Sequence, residues 1–347
     1  MPVLDPSALV DDRVAALRSY HASTGIERAE LDVSGGIDSA VMAGLLTLAL
    51  GPEQVTFVYS AIHSGGATRS RAQALIDALG GTLVVHDLTE VYDRMVADML
   101  ANLEAAGADM EAVRQRMESD ARVLGSIRSC MRAPLGRGYL RLMGAGIRHG
   151  TGNECEDRWL RFYQKGGDGE VDSNPIAMLS KGEVFQLAVE LGQRLGARDA
   201  YRAIVEAAPT PELWGADHPH TDEDEIADYL GLTGHGETFY GYVDPGSGAY
   251  TRVGLIERVA RFVDTPAGET LFDDGLDEAS LEALLEGAAS APPLADLDPA
   301  LVPELLRAAR RAERISRHKA NPNCPTLGER GPLLAAGILT DSLPPRA

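Results

Sequence analysis

Between a short apolar stretch and a long apolar helix lies Ser34-Gly35-Gly36-Ile37-Asp38-Ser39, and this run limits the chain more than any other. It reads as the end of a strand, a tight Ser-Gly-Gly turn and the first turn of a helix. Such a turn leaves backbone N–H groups pointing outward at the positive end of a helix dipole, where an anion binds. Gly35 and Gly36 let the backbone approach a phosphate closely and take positive φ. Ser34 and Ser39 add hydroxyl donors, and Asp38 adds a carboxylate suited to holding Mg²⁺ beside phosphates. The run lacks the Gly-Lys-Ser/Thr ending of the kinase and GTPase P-loop, and it is not G-x-G-x-x-G. A plain glycine turn capping a helix is the bland alternative. Strand, turn and helix all falling where a phosphate loop needs them argues against it.

The flanking pattern predicts an α/β fold, a doubly wound parallel sheet with flanking helices. Residues 7–20 read as a helix, 28–33 as a strand, and the apolar 37–50 as a helix packed on a sheet and ended by Gly51-Pro52. Residues 54–60 are β-branched and aromatic, hence a strand. Ala72, Leu75, Ile76 and Leu79 mark a helix, and Gly80-Gly81 precedes the next strand. In such sheets ligands bind at the carboxyl ends of strands, where the Ser34–Ser39 loop falls. Residues 89–143 read as two or three helices, 183–191 as an amphipathic helix behind Ser180-Lys181-Gly182-Glu183, which has capping-box spacing, and 300–318 as a further helix. The expected organisation is an α/β domain over 1–230, an insertion or lid of uncertain structure over 231–300, and a C-terminal helix and tail over 301–347 completing the substrate site.

The formal net charge of −20 over 347 residues repels nucleic acid phosphates, so a small-molecule substrate is expected. No apolar run approaches the ~18 residues of a membrane helix. The acidic N-terminus has no signal-peptide pattern, which predicts a cytoplasmic protein. Cys130, Cys155 and Cys324 lie far apart without C-x-x-C, against a zinc site or a disulfide framework.

The Ser34–Ser39 run resembles the S-G-G-x-D-S loop of the N-type ATP pyrophosphatases, the PP-loop superfamily with an adenine nucleotide alpha hydrolase-like fold. Later segments resemble the ammonia-dependent NAD synthetase family within it. Gly150-Thr151-Gly152-Asn153-Glu154-Cys155-Glu156 is similar to that family's G-T-x-x-x-x-E loop. By this resemblance Thr151 contacts ATP, and Glu156 joins Asp38 on Mg²⁺. Phe162-Tyr163-Gln164-Lys165-Gly166-Gly167-Asp168-Gly169-Glu170-Val171-Asp172 resembles F-T-K-x-G-D-G-x-x-D, which implies that Lys165 and Asp172 hold deamido-NAD. Lys181 resembles the ATP-phosphate lysine, and Thr210 in Pro209-Thr210-Pro211-Glu212-Leu213 an ATP contact. Asp224-Glu225 and Tyr229 resemble D-E-x-x-L-G-x-x-Y imperfectly. His318-Lys319 with Pro322 resembles a C-terminal segment that reaches deamido-NAD. Taken singly, Lys165 and Lys181 read as solvent-facing lysines and Glu156 as a solvated face. Their shared order along the chain carries the resemblance.

Departures cluster on the substrate side. In Ser126-Ile127-Arg128-Ser129-Cys130-Met131-Arg132, Cys130 takes the place of the first arginine of N-x-x-x-R-x-R and Arg132 that of the second, leaving Arg132 or Arg128 to meet the substrate. Gln164 replaces a threonine, and Ala320 an arginine. Arg148, in the strand before Gly150, needs a partner or a route to solvent.

The resemblance implies an ATP-dependent amide-forming ligase with ATP as co-substrate and Mg²⁺. A carboxylate, deamido-NAD, attacks the α-phosphorus to give an acyl-AMP and pyrophosphate, and ammonia then forms the amide. Lys181 assists the phosphates, and Asp168 takes a proton from ammonium or orients the nucleophile. Ammonia is expected to be free or delivered by a partner, and the chain to be a homodimer without membrane or nucleic acid partners. Three alternatives stand beside this reading: a ligase of another carboxylic acid, a tRNA-modifying PP-loop enzyme, and a nucleotide-binding sensor without catalysis.

Overall fold

The computed structural model describes residues 5–120, 122–207, 221–320 and 328–342. Thr210 and the rest of Pro209–Leu213 lie outside them, as do Pro322 and Cys324. The chain opens with α1 (Pro6–Thr24), whose first turn is capped by the Asp5 carboxylate and led by Pro6, and which ends on left-handed Gly25. Then come β1 (Arg28–Asp32), α2 (Ile37–Leu50), β2 (Val55–Ala61), α3 (Gly66–Ala78) and β3 (Leu83–Asp87). Three helices follow, α4 (Thr89–Ala105), α5 (Met110–Ser119) and α6 (Arg122–Met143), before β4 (Gly146–Arg148) and the single turn α7 (Glu154–Asp157).

The strands form one parallel sheet in the order β3-β2-β1-β4, with Leu31 opposite Phe57 and Glu30 opposite Arg148. The chain walks outward from β1 to β3, then returns through α4–α6 to place β4 on the other side of β1. The strand order therefore reverses between β1 and β4, and the loops after these two strands open a crevice at the sheet's carboxyl end. Helices flank the sheet on both faces. Ala29, Leu31 and Val33 join the core built with α1, α2 and the two helices described next. Glu30 and Asp32 alternate to the opposite face, beneath α6. There Arg148 pairs with both carboxylates, which supplies the partner its place in a strand demands. Gly136 of α6 sits against this cluster, and a Cβ there would fall 1.7 Å from Arg148 Nη1.

α8 (Lys181–Arg194) starts at a complete capping box between Ser180 and Glu183, two residues earlier than its apolar periodicity begins. It is followed by α9 (Arg198–Val205) and α10 (Asp222–Leu230). Residues 231–300 hold a small antiparallel pair, β5 (Tyr242–Val243) and β6 (Tyr250–Arg252), then α11 (Leu255–Val263) and α12 (Glu278–Ala288). With α13 (Leu301–Ser316) they build a second core around Ile256, Val259, Phe262 and Leu305, to which Cys155 and Trp159 also belong. The described chain ends with α14 (Arg330–Ala335), and among the described residues no helix is long and apolar enough to cross a membrane.

Candidate active site

The Ser34–Ser39 loop keeps the predicted strand–turn–helix shape, but only one of its two glycines takes positive φ: Gly36 is extended, at φ −96° and ψ 170°. Gly35 takes φ +80°, and a Cβ there would sit 2.3 Å from the Thr68 carbonyl oxygen, so only glycine lets the loop lie against α3. Gly36 begins α2 without a side-chain cap, leaving the first-turn N–H groups available to an anion. Ser34 and Ser39 face each other with hydroxyls 3.2 Å apart, and Arg71 donates to the Gly35 carbonyl at 3.2 Å.

The loop after β4 closes on it from the other side of the switch point. Asn153 caps α7 by accepting from the Glu156 N–H at 3.2 Å and donates to Asp38 Oδ1 at 2.9 Å. One asparagine thus ties the two loops together. Lys181, the first residue of α8, reaches into the junction and donates to Asp38 Oδ2 at 2.6 Å and to Glu156 Oε1 at 2.8 Å. Burial would lower its pKa, but the carboxylates of Asp38, Glu156 and Asp222 outweigh that and hold it well above the usual lysine value. Burial, with Asp38 adding to it, pushes Glu156 up to about 7 against the pull of Lys181. Two carboxylates converging on one point suit a hard cation, with the remaining ligands coming from phosphates and water. Asp38 and Glu156 are therefore the residues that would hold Mg²⁺.

These groups line a cavity of about 470 Å³ that also contains Thr151, Arg132, Asp168 and Lys319. Asp168 is set by α6: its Oδ1 accepts from the Ser129 hydroxyl at 2.6 Å and from the Gln164 N–H at 2.9 Å. Lys319 donates to the carbonyls of Arg161 and Tyr163, and burial lowers its pKa. Three other residues named from the sequence do not line this cavity. Lys165 is exposed. Asp172 accepts from Arg137 at 3.0 Å and from the Arg148 N–H at 2.8 Å. His318 is exposed, with Nδ1 2.9 Å from the Ile315 carbonyl.

Of the imperfect D-E-x-x-L-G-x-x-Y match, Glu225 and Tyr229 line the cavity and Asp224 does not; Arg122, Tyr240 and Asp222 line it too, and the sequence did not single them out. Arg122 enters from the start of α6, one face of which runs along the cavity through Ser126, Ser129 and Arg132. Tyr240 covers Lys181, its ring centre 5.1 Å from the ammonium. Asp222 and Glu225 face the cavity from α10, and burial pushes them up to about 6 and about 7. Their neighbours in the same acidic run do other work: Glu223 binds the Phe239 and Tyr240 N–H groups, and Asp224 completes the capping box of α10. The resemblance picks Asp224 and Glu225 from this run of four acids, and the helix turns Asp222 and Glu225 inward instead.

A bare helix start for phosphate, a carboxylate pair for a divalent cation and a lysine between them, set at the switch point of a parallel sheet, define an ATP-using enzyme of the PP-loop class. The NAD synthase family profile matches residues 9–234, and the chain belongs to that family. The NH(3)-dependent NAD(+) synthetase of Methanococcoides burtonii is 31% identical over 204 residues, which cover 58% of this chain and 68% of that one. Its namesake from Halobacterium salinarum is 33% identical over 220 residues, covering 62% and 71%. The structure of NMN synthetase from Francisella tularensis superposes with a TM-score of 0.52 at 25% identity, over 66% of this chain and 83% of that one. A glutamine-dependent NAD(+) synthetase from Cytophaga hutchinsonii shares the fold, with a TM-score of 0.58 at 16% identity, over 89% of this chain and 49% of that one. The protein is thus a ligase that uses ATP as co-substrate, and the family match with the two NH(3)-dependent NAD(+) synthetases favours neither the tRNA-modifying reading nor the ligase of another acid.

Proposed function

We propose that this chain is an ammonia-dependent NAD synthetase. One observation carries the reading: a single cavity joins the Ser34–Ser39 loop and the Asp38–Lys181–Glu156 cluster to Arg132, Asp168 and Lys319. The loop N–H groups and Lys181 hold the triphosphate and take up charge as pyrophosphate leaves. Mg²⁺ held by Asp38 and Glu156 would neutralise phosphate charge. Arg132 and Lys319 draw the anionic dinucleotide, so that its nicotinate carboxylate meets the α-phosphorus. Asp168, fixed by Ser129, accepts a proton as ammonia adds to the acyl carbon and AMP departs. Thr151 contributes a hydroxyl beside the ATP loop.

The same reading makes the chain a cytoplasmic homodimer. Leu142 and Met143 at the end of α6 are 83% and 53% exposed, an apolar surface suited to a second copy. Light scattering on the purified protein gives its mass directly. The decisive assay measures pyrophosphate release and AMP formation with ATP, ammonium and deamido-NAD. Stoichiometric NAD is the expected product. Turnover of another carboxylic acid, with none of deamido-NAD, would replace the substrate and keep the ligase chemistry. No pyrophosphate release with any acid would remove the reading.

A further inference from the structure

Lys181 is 2% exposed, and its ammonium occupies the point on which Asp38 and Glu156 converge. That is the point a hard cation would take. Tyr240 closes it from above, and Asn153 holds Asp38 Oδ1 in place. We propose that Lys181 is the resident cation of the metal site in the nucleotide-free enzyme, keeping divalent ions out until a triphosphate arrives.

A free divalent ion would have to strip its own water, which Mg²⁺ gives up reluctantly, and evict an ammonium already desolvated and paired. The evicted charge would then lie beside a dication in a buried site, where like charges repel strongly. A triphosphate on the Ser34–Ser39 loop changes this balance. It brings new anionic oxygens within reach of the flexible lysine stem, and drawing the ammonium toward them frees both carboxylates. Lys181 thus couples the two ligands, each raising the affinity of the other. The proposal rests on the triphosphate-binding part of the function above and is independent of the acid.

The test is titration of nucleotide-free protein with Mn²⁺, read from the electron paramagnetic resonance of the free ion. Wild-type protein is expected to bind Mn²⁺ at least tenfold more weakly alone than with α,β-methylene-ATP, once the Mn²⁺ bound by the analogue itself, measured without protein, is subtracted. Lys181→Met should bind Mn²⁺ alone at least tenfold more tightly than wild type, whereas Lys181→Arg, which keeps the charge, should stay weak. Adding Asp38→Asn to Lys181→Met should abolish the gain. Equal Mn²⁺ affinity of wild type and Lys181→Met would overturn the proposal. So would wild-type protein that binds Mn²⁺ alone as tightly as with the analogue, a result that needs no variant to fold. No acid is present in these titrations, so failure of deamido-NAD as a substrate leaves them unaffected.

Discussion

At the residue scale, the carboxylates and histidines around the crevice govern what the site does. Asp38→Ala and Glu156→Ala are each expected to abolish pyrophosphate release, because either change breaks the pair that faces the phosphates. Retained release in either variant refutes the assignment of that pair. Beside them lies a buried histidine couple. The Ile26 carbonyl can only accept, so His21 Nδ1, 2.7 Å away, carries a proton. His21 Nε2 then accepts from His149 Nε2 at 3.0 Å, and His149 Nδ1 accepts from the Ser173 hydroxyl at 2.7 Å. Both rings are neutral in this arrangement. Burial, with His21 adding to it, lowers His149 to about 3, and burial lowers His21 too. A histidine whose folded pKa is depressed takes up its proton more readily when unfolded. Stability is therefore whole above about pH 6.5 and falls as pH drops toward 3, by about 1.4 kcal/mol per pH unit for one such group. Thermal melts at pH 7 and pH 5 should show this loss, and His149→Gln should show a smaller one. Equal losses would assign the pH dependence elsewhere. The Ser34–Ser39 loop and Glu156 were legible in sequence because chain order and side-chain chemistry specify them. Asp222, Tyr240 and Arg122 were not, because their direction depends on distant packing.

At the element scale, two contacts decide how the site is carried. Arg330 of α14 makes a bidentate pair with Glu183, both bonds at 2.8 Å, and Glu183 is fully buried in the capping box that begins α8. The C-terminal segment therefore braces the helix that presents Lys181. Arg330→Met leaves a buried carboxylate unpaired and is expected to cost about 3–5 kcal/mol in urea unfolding. A loss below 1 kcal/mol would show that water or another cation takes the place. Gly136 marks the other contact. Gly136→Ala should cost about 1–3 kcal/mol, since a Cβ would press on Arg148 and Glu30 and neither can leave its partner cheaply. An unchanged unfolding midpoint would mean that α6 shifts freely. Periodicity revealed the helices that carry an apolar stripe. It said little over 231–300, where the buried residues sit on short helices and turns and meet partners far along the chain, such as Trp159 and Leu305.

At the scale of the whole molecule, a net charge of −20 surrounds a cavity that must take a polyphosphate. The acidic exterior repels long nucleic acids, while Lys181, Arg132, Arg122 and Lys319 act at short range within the cavity. Gel-shift titration with tRNA at moderate salt is expected to show no complex, and a saturable shift would count against the small-molecule assignment. The parallel sheet was legible because its strands and helices alternate in order. The second core was not, because it joins residues near 155–160 to others beyond 225.

The Glu30–Arg148–Asp32 cluster also bears on how the sheet assembles. β4 has only three residues, too few for backbone bonding alone to choose its alignment on β1. A slip of one residue would turn Arg148 toward Ala29 and Leu31, among apolar side chains with no carboxylate to meet it. Opposite charges on neighbouring strands thus penalise the misaligned chain during folding, and they secure the spacing of the two loops before any ligand arrives.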